Sequence, residues 1–201
     1  MKYKTPQNSS FIPWQPSSWP PPPKNYNREF KKIIKKIFNE TIIEEIANIV
    51  EDARQIQGNL EHRGHVIALS LLCAIDTISS YAYDNLAAEK CLCCGRGDRI
   101  GPKYKKYIAS FFPKEYQPFA EDIYNLYRNS MVHSWNLFKV GILPGSEQIT
   151  KKDGVLSFGL LNFFNALKKA TKNFLSNLAK DPKLQAASLL RYKELKDSAL
   201  P

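Results

Sequence analysis

The chain has 201 residues, 43% of them hydrophobic and 12% aromatic, which is enough for one packed domain and excludes a wholly disordered protein. Its net charge of +10 is unevenly placed: residues 1–36 carry +7, 37–89 carry −7, 90–114 carry +6 and 115–201 carry +4. No apolar run approaches the roughly 20 residues that span a bilayer, and the start of the chain lacks an apolar signal segment, so a cytoplasmic protein with no membrane partner is expected.

Residues 1–27 hold seven prolines, including Pro20 to Pro23, with Phe11, Trp14 and Trp19 among Ser and Asn. Proline fixes the backbone and removes a donor, so this stretch reads as an extended, disordered tail whose tryptophans can dock elsewhere. A helical domain is expected over 28–201.

From Arg28, apolar residues recur at three- and four-residue spacing (Phe30, Ile33, Ile34, Ile37, Phe38, Ile42, Ile46, Ile49, Val50, Ala53) and predict a long helix ended by Gly58. Its outward lysines, Lys31, Lys32, Lys35 and Lys36, precede the acids Glu44, Glu45, Glu51 and Asp52. That order is the reverse of what the helix dipole favours, which suggests that the lysines serve something else. A second long helix, from about Asn59 to Leu86, is apolar on most sides and therefore central. Within it, Asp76 needs a partner or a rim position. His62 and His65 share a face near its start and read as packing residues, with no third catalytic partner in view.

A breaker-rich turn follows, Cys91 to Pro102. Three cysteines close together, Cys91, Cys93 and Cys94, could ligate zinc, but no second ligand pair stands nearby, so no metal or other cofactor is assigned. A short basic helix, Lys103 to Phe112, stops at Pro113. The next begins around Tyr116 to Phe119 and runs to His133 or slightly beyond. Periodicity fails between Phe138 and Phe158, where Gln148 to Lys152 and Val155 to Phe158 flank Asp153-Gly154 as a small β-hairpin. Helices at about Leu160 to Leu178 and Lys183 to Lys196 close the chain. The expected fold class is all-α: a helical bundle of two long antiparallel helices, a motif helix and a closing helix, with the hairpin as an insertion.

The stretch most able to carry chemistry is Tyr124-Asn125-Leu126-Tyr127-Arg128-Asn129-Ser130-Met131-Val132-His133. On a helix Asn129 and His133 lie about 40° apart, whereas Arg128 and His133 lie about 140° apart, so a second helix, most simply that of a symmetry-related subunit, must close the groove. With its order of two long helices, basic connector, motif helix and closing helix, the chain resembles the HEPN superfamily over roughly residues 28–180. The ribonuclease members of that superfamily share an Arg-x(4–6)-His motif, typically with a polar residue after the arginine.

The resemblance implies metal-independent RNA cleavage at a homodimer interface, with catalytic Arg128, Asn129 and His133, and a role in defence or toxin–antitoxin systems with a cognate inhibitor protein. The basic connector, Arg96, Arg99, Lys103, Lys105 and Lys106 with Tyr104 and Tyr107 interleaved, would guide RNA by charge and stacking. Two other readings stay open. One is a non-catalytic helical module that binds a partner protein or nucleic acid; the other is a zinc-dependent nucleic-acid module built on the cysteines.

Overall fold

The computed structural model describes residues 19–57, 64–84, 86–90, 97–126, 140–143, 145 and 147–198. Among these residues the protein is mostly helical, with one small three-stranded sheet and a two-stranded ladder. In chain order the helices are α1 (Arg28–Lys36), α2 (Glu44–Gln57), α3 (Gly64–Ala82), α4 (Ile100–Phe111), α5 (Ala120–Asn125), α6 (Leu160–Leu178) and α7 (Pro182–Ser198). The strands are β1 (Glu89–Lys90), β2 (Gly97–Asp98), β3 (Val140–Leu143), β4 (Thr150–Lys152) and β5 (Val155–Gly159).

The residues expected to form one long first helix do so, with an insertion. Asn27 starts it, its side-chain oxygen accepting the Phe30 N–H at 2.9 Å. Between α1 and α2 the backbone winds more widely, as a π-helical segment over Ile37–Ile43, and stays helical on both sides of it. Lys35 and Lys36 therefore sit mid-helix and gain nothing from a helix end.

Within residues 19–27, Trp19 and Tyr26 pack on the body. Trp19 is buried, stacks on Tyr192 with ring centroids 5.3 Å apart, and its carbonyl accepts a bond from Lys196 Nζ at 2.7 Å. The Pro20 carbonyl accepts from the Tyr192 hydroxyl at 2.7 Å. Two backbone carbonyls that proline-rich chain cannot use internally are satisfied by α7. Trp14 and Phe11 lie outside the described residues.

α3 is the spine. Ile67, Leu71, Leu72, Ile75 and Ile78 are fully buried, and α4, α6 and α7 pack around it. By length and composition it could cross a membrane, yet here 56% of its most apolar window is covered by protein. Asp76 takes the rim position, half-buried. The core beside α3 is aromatic: Phe174 lies 5.8 Å from Phe38, 6.1 Å from Tyr107 and 5.4 Å from Phe111, mostly edge to face.

Burial of four tyrosines has a measurable consequence. It pushes Tyr116 and Tyr192 up to about 12 and raises Tyr81 and Tyr107 as well. Above about pH 10 the unfolded chain releases phenolic protons that the folded chain keeps, so stability falls as pH rises through that point. A denaturation midpoint that drops between about pH 8 and about pH 11 is the expected result.

The hairpin forms where Asp153-Gly154 places it, both residues having positive φ (52° and 78°), as a two-residue turn of the I′ kind requires. The sheet goes beyond the hairpin, however. β3 pairs in parallel with β5, Val140 opposite Leu156 and Leu143 opposite Gly159, giving the order β3-β5-β4. The stretch after Phe138, which has no periodicity to read, thus contributes an edge strand; four residues joined to a parallel partner leave no local signature.

Gly159 closes this unit. Its N–H donates to the Glu147 carbonyl at 3.0 Å, and a Cβ there would meet Glu147 N at 2.4 Å, Gly145 O at 2.7 Å and Glu147 O at 2.8 Å. These are backbone atoms that cannot swing aside. Gly159→Ala is expected to cost about 1–3 kcal/mol, readable as a lower urea midpoint with an unchanged slope.

Candidate nucleic-acid interface

The predicted catalytic residues Arg128, Asn129 and His133 lie outside the described residues, as do Arg96, Cys91, Cys93, Cys94 and His62. What is placed is the frame on either side of the motif segment. Before it, α5 is anchored by buried Ile123, Tyr124 and Leu126. After it, β3 is held by its ladder to β5. Two charged ties fix α5 further: Asp122 meets Lys151 of β4 at 2.6 Å, and Glu121 meets Lys105 of α4 at 2.9 Å.

Lys105 is thereby a clamp. It also pairs with Glu89, and it sits 5.9 Å from the centre of the Tyr124 ring. Partial burial works against its charge, but hydrogen bonds to Glu89 and Glu121 outweigh that and hold the ammonium above the ordinary lysine range. With both carboxylates engaged, this nitrogen ties β1, α4 and α5 together. Lys105→Ala is expected to cost about 0.5–1 kcal/mol and to leave RNA affinity unchanged, measured by thermal melting beside a binding titration.

The other connector residues are distributed over the surface. Arg99 and Lys106 are exposed and Lys103 is half-buried, with Lys106 placed 4.6 Å over the Tyr83 ring. Tyr104 and Tyr107, expected as stacking faces for bases, are both fully buried. They fall with Ile108 and Phe111 on one stripe of α4, and that stripe faces the core: Tyr104 packs on Tyr124 at 5.3 Å and Tyr107 on Phe111 at 5.2 Å. The connector offers charge without aromatic platforms.

His65 is exposed at the start of α3. Cys73 opens into a groove of about 330 Å³ beside Thr41, Ile46 and Ala74, and both burial and the neighbouring Asp76 push its thiol up, away from the reactive thiolate. Among the described residues no three His, Cys, Asp or Glu side chains group closely enough to hold a metal ion.

Compared with known protein families, with curated proteins and with solved structures, the chain finds no match in any of the three. The functional reading therefore stands on its own residues.

Sequence reasoning passed over one group of side chains. Lys31 and Lys35 of α1 face Lys172 of α6 and Lys180 just beyond it across a cleft of about 610 Å³. The reversed charge order of the first helix hinted that its lysines had another use, but nothing local named α6 as the opposite wall.

Proposed function

We propose that the protein is a metal-independent endoribonuclease of the HEPN type, acting as a cytoplasmic homodimer. The observation that carries the reading is the Arg128-Asn129 to His133 spacing in the sequence after α5, in a mostly helical chain. The finer architecture belongs to the same reading: two long antiparallel helices, a motif helix running on from α5 to His133, and α6 closing the bundle.

The chemistry follows from the side chains. His133 takes the proton of a ribose 2′-hydroxyl, and the freed oxygen attacks the adjacent phosphorus. The bond to the 5′-oxygen breaks and that oxygen is protonated, leaving a 2′,3′-cyclic phosphate on one product and a 5′-hydroxyl on the other. Arg128, with forked donors, holds the phosphate and stabilises the added charge of the transition state. Asn129, one turn from His133, orients the imidazole or the phosphate. A second subunit would supply the facing helix, since on a regular helix Arg128 and His133 would lie about 140° apart. A role in defence or toxin–antitoxin inhibition, with a cognate inhibitor protein, is part of the same proposal.

The test is substrate chemistry. An RNA methylated at every ribose 2′-oxygen should be bound and left uncut under conditions in which the unmodified RNA is cleaved. Cleavage of both would exclude the 2′-hydroxyl as nucleophile, and cleavage of neither, with both bound, would favour the non-catalytic binding module.

A further inference from the structure

We propose that the cleft between α1 and α6 is a binding track for the phosphate backbone of single-stranded RNA. Its walls carry Lys31, Lys35 and Asn39 on one side and Lys172, Leu175 and Lys180 on the other, and among the described residues no carboxylate lines it. Among the described residues, none of the four lysines has an acidic partner within ion-pair distance. Neighbouring charges differ: Lys32 is paired with Glu29 at 3.1 Å and Lys36 with Glu40 at 3.9 Å, on the same helix. Asp181, next to Lys180, spends its carboxylate at the start of α7, accepting the Lys183 N–H at 2.8 Å.

Four ammonium groups facing one cleft repel one another, and helix-end electrostatics compensates only part of that. Lys180 stands at the end of α6, where a cation is favoured. Lys31 stands at the first turn of a helix that continues to Gln57, where a cation is disfavoured, and Lys35 sits too far along it to gain from either end. An arrangement unfavourable in the free protein becomes favourable when a polyanion neutralises it and releases its counterions. Lys31 and Lys35 are one turn apart, about 6 Å along the axis, so they can meet different phosphates of one strand.

The four lysines are exposed and the cleft is open, which suits an extended chain rather than a small enclosed anion. Asn39, half-buried in the π-helical segment, adds an uncharged donor and acceptor at the wall. Insertions of this kind recur at functional sites because they turn side chains out of the regular helical order. The choice of RNA over other polyanions rests on the ribonuclease reading; the cationic geometry does not.

The experiment is equilibrium binding of a labelled, mixed-sequence, fully 2′-O-methylated single-stranded RNA, which keeps every phosphate and cannot be cut through its 2′-oxygens. Binding is thus read whether or not the protein is a nuclease. Wild type is compared with the K31Q/K35Q/K172Q/K180Q variant and with an R99Q/K103Q/K106Q connector variant, each checked for its fold by circular dichroism. The cleft variant should bind on the order of tenfold more weakly or worse at about 0.1 M salt, with the slope of log K against log salt reduced by about 3.

Should the quadruple variant fold poorly, the K31Q/K35Q and K172Q/K180Q pairs should each remove about half of that slope. Replacement of the four lysines by arginine should retain binding. Unchanged affinity and slope in the cleft variant, a loss confined to the connector variant, or no RNA binding by wild type would each overturn the proposal.

Discussion

Replacing His133 by alanine is expected to lower the rate of RNA cleavage by about 10²- to 10⁴-fold, the range that a positioned general acid or base contributes. RNA affinity should be nearly unchanged, because the lysines proposed to bind the strand lie on α1 and at α6. Arg128→Ala should reduce cleavage by about 10²- to 10³-fold through loss of transition-state charge stabilisation. Both variants should melt near the wild-type temperature, since a residue kept for chemistry adds little to the core. Cleavage lost together with several degrees of thermal stability would instead mark His133 as a packing residue. The comparison needs only single-turnover rates and melting curves on the same preparations.

The largest effect on stability is expected at Phe174. Its ring is fully buried where the π-helical segment, α4 and α6 converge, against Phe38, Tyr107 and Phe111. Truncation to alanine removes the ring from water-free surroundings and leaves a cavity that three neighbouring rings cannot fill by small shifts. A cost of about 3–5 kcal/mol follows, or roughly 6–20 °C in melting temperature for a domain of this size. Phe174 also lies between Lys172 and Leu175 of the lysine cleft, so its loss should weaken RNA binding only as far as α6 shifts. A melting temperature within about 2 °C of wild type would show that the aromatic cluster is looser than its geometry implies.

The helices were legible because their evidence is periodic. Phe30, Ile34, Phe38 and Ile42 mark a buried stripe without reference to anything distant. Leu160 to Leu178 is helical over the very range its pattern predicts. Asp153-Gly154 announced the hairpin, since those residue types tolerate the positive φ that the turn needs.

What escaped reading depends on contacts between distant segments. β3 exists because Val140 to Leu143 finds β5, and no pattern within four residues carries that information. The π-helical segment over Ile37–Ile43 has the same apolar spacing as the helix around it. Trp19 belongs to the core through Tyr192, which stands 173 positions later in the chain.

The connector illustrates a different ambiguity. Lys103 to Phe111 alternates cations and tyrosines, a pattern equally suited to an RNA guide and to an amphipathic helix lying on a core. Tyr104 and Tyr107 lie buried on the core face and Lys105 pairs with Glu89 and Glu121, while Arg99 and Lys106 stay exposed. The α1/α6 cleft was hidden for the converse reason: Lys31 and Lys172 meet only after the chain has folded.

The central claim is that Arg128 and His133 cut RNA without a metal ion. The most direct measurement is digestion of a mixed-sequence RNA in EDTA by wild type and by His133→Ala, with end-group analysis of the products. Cleavage by wild type alone, leaving 2′,3′-cyclic phosphates and 5′-hydroxyls, is the predicted result; no cleavage by either protein at concentrations where the RNA is bound would contradict it.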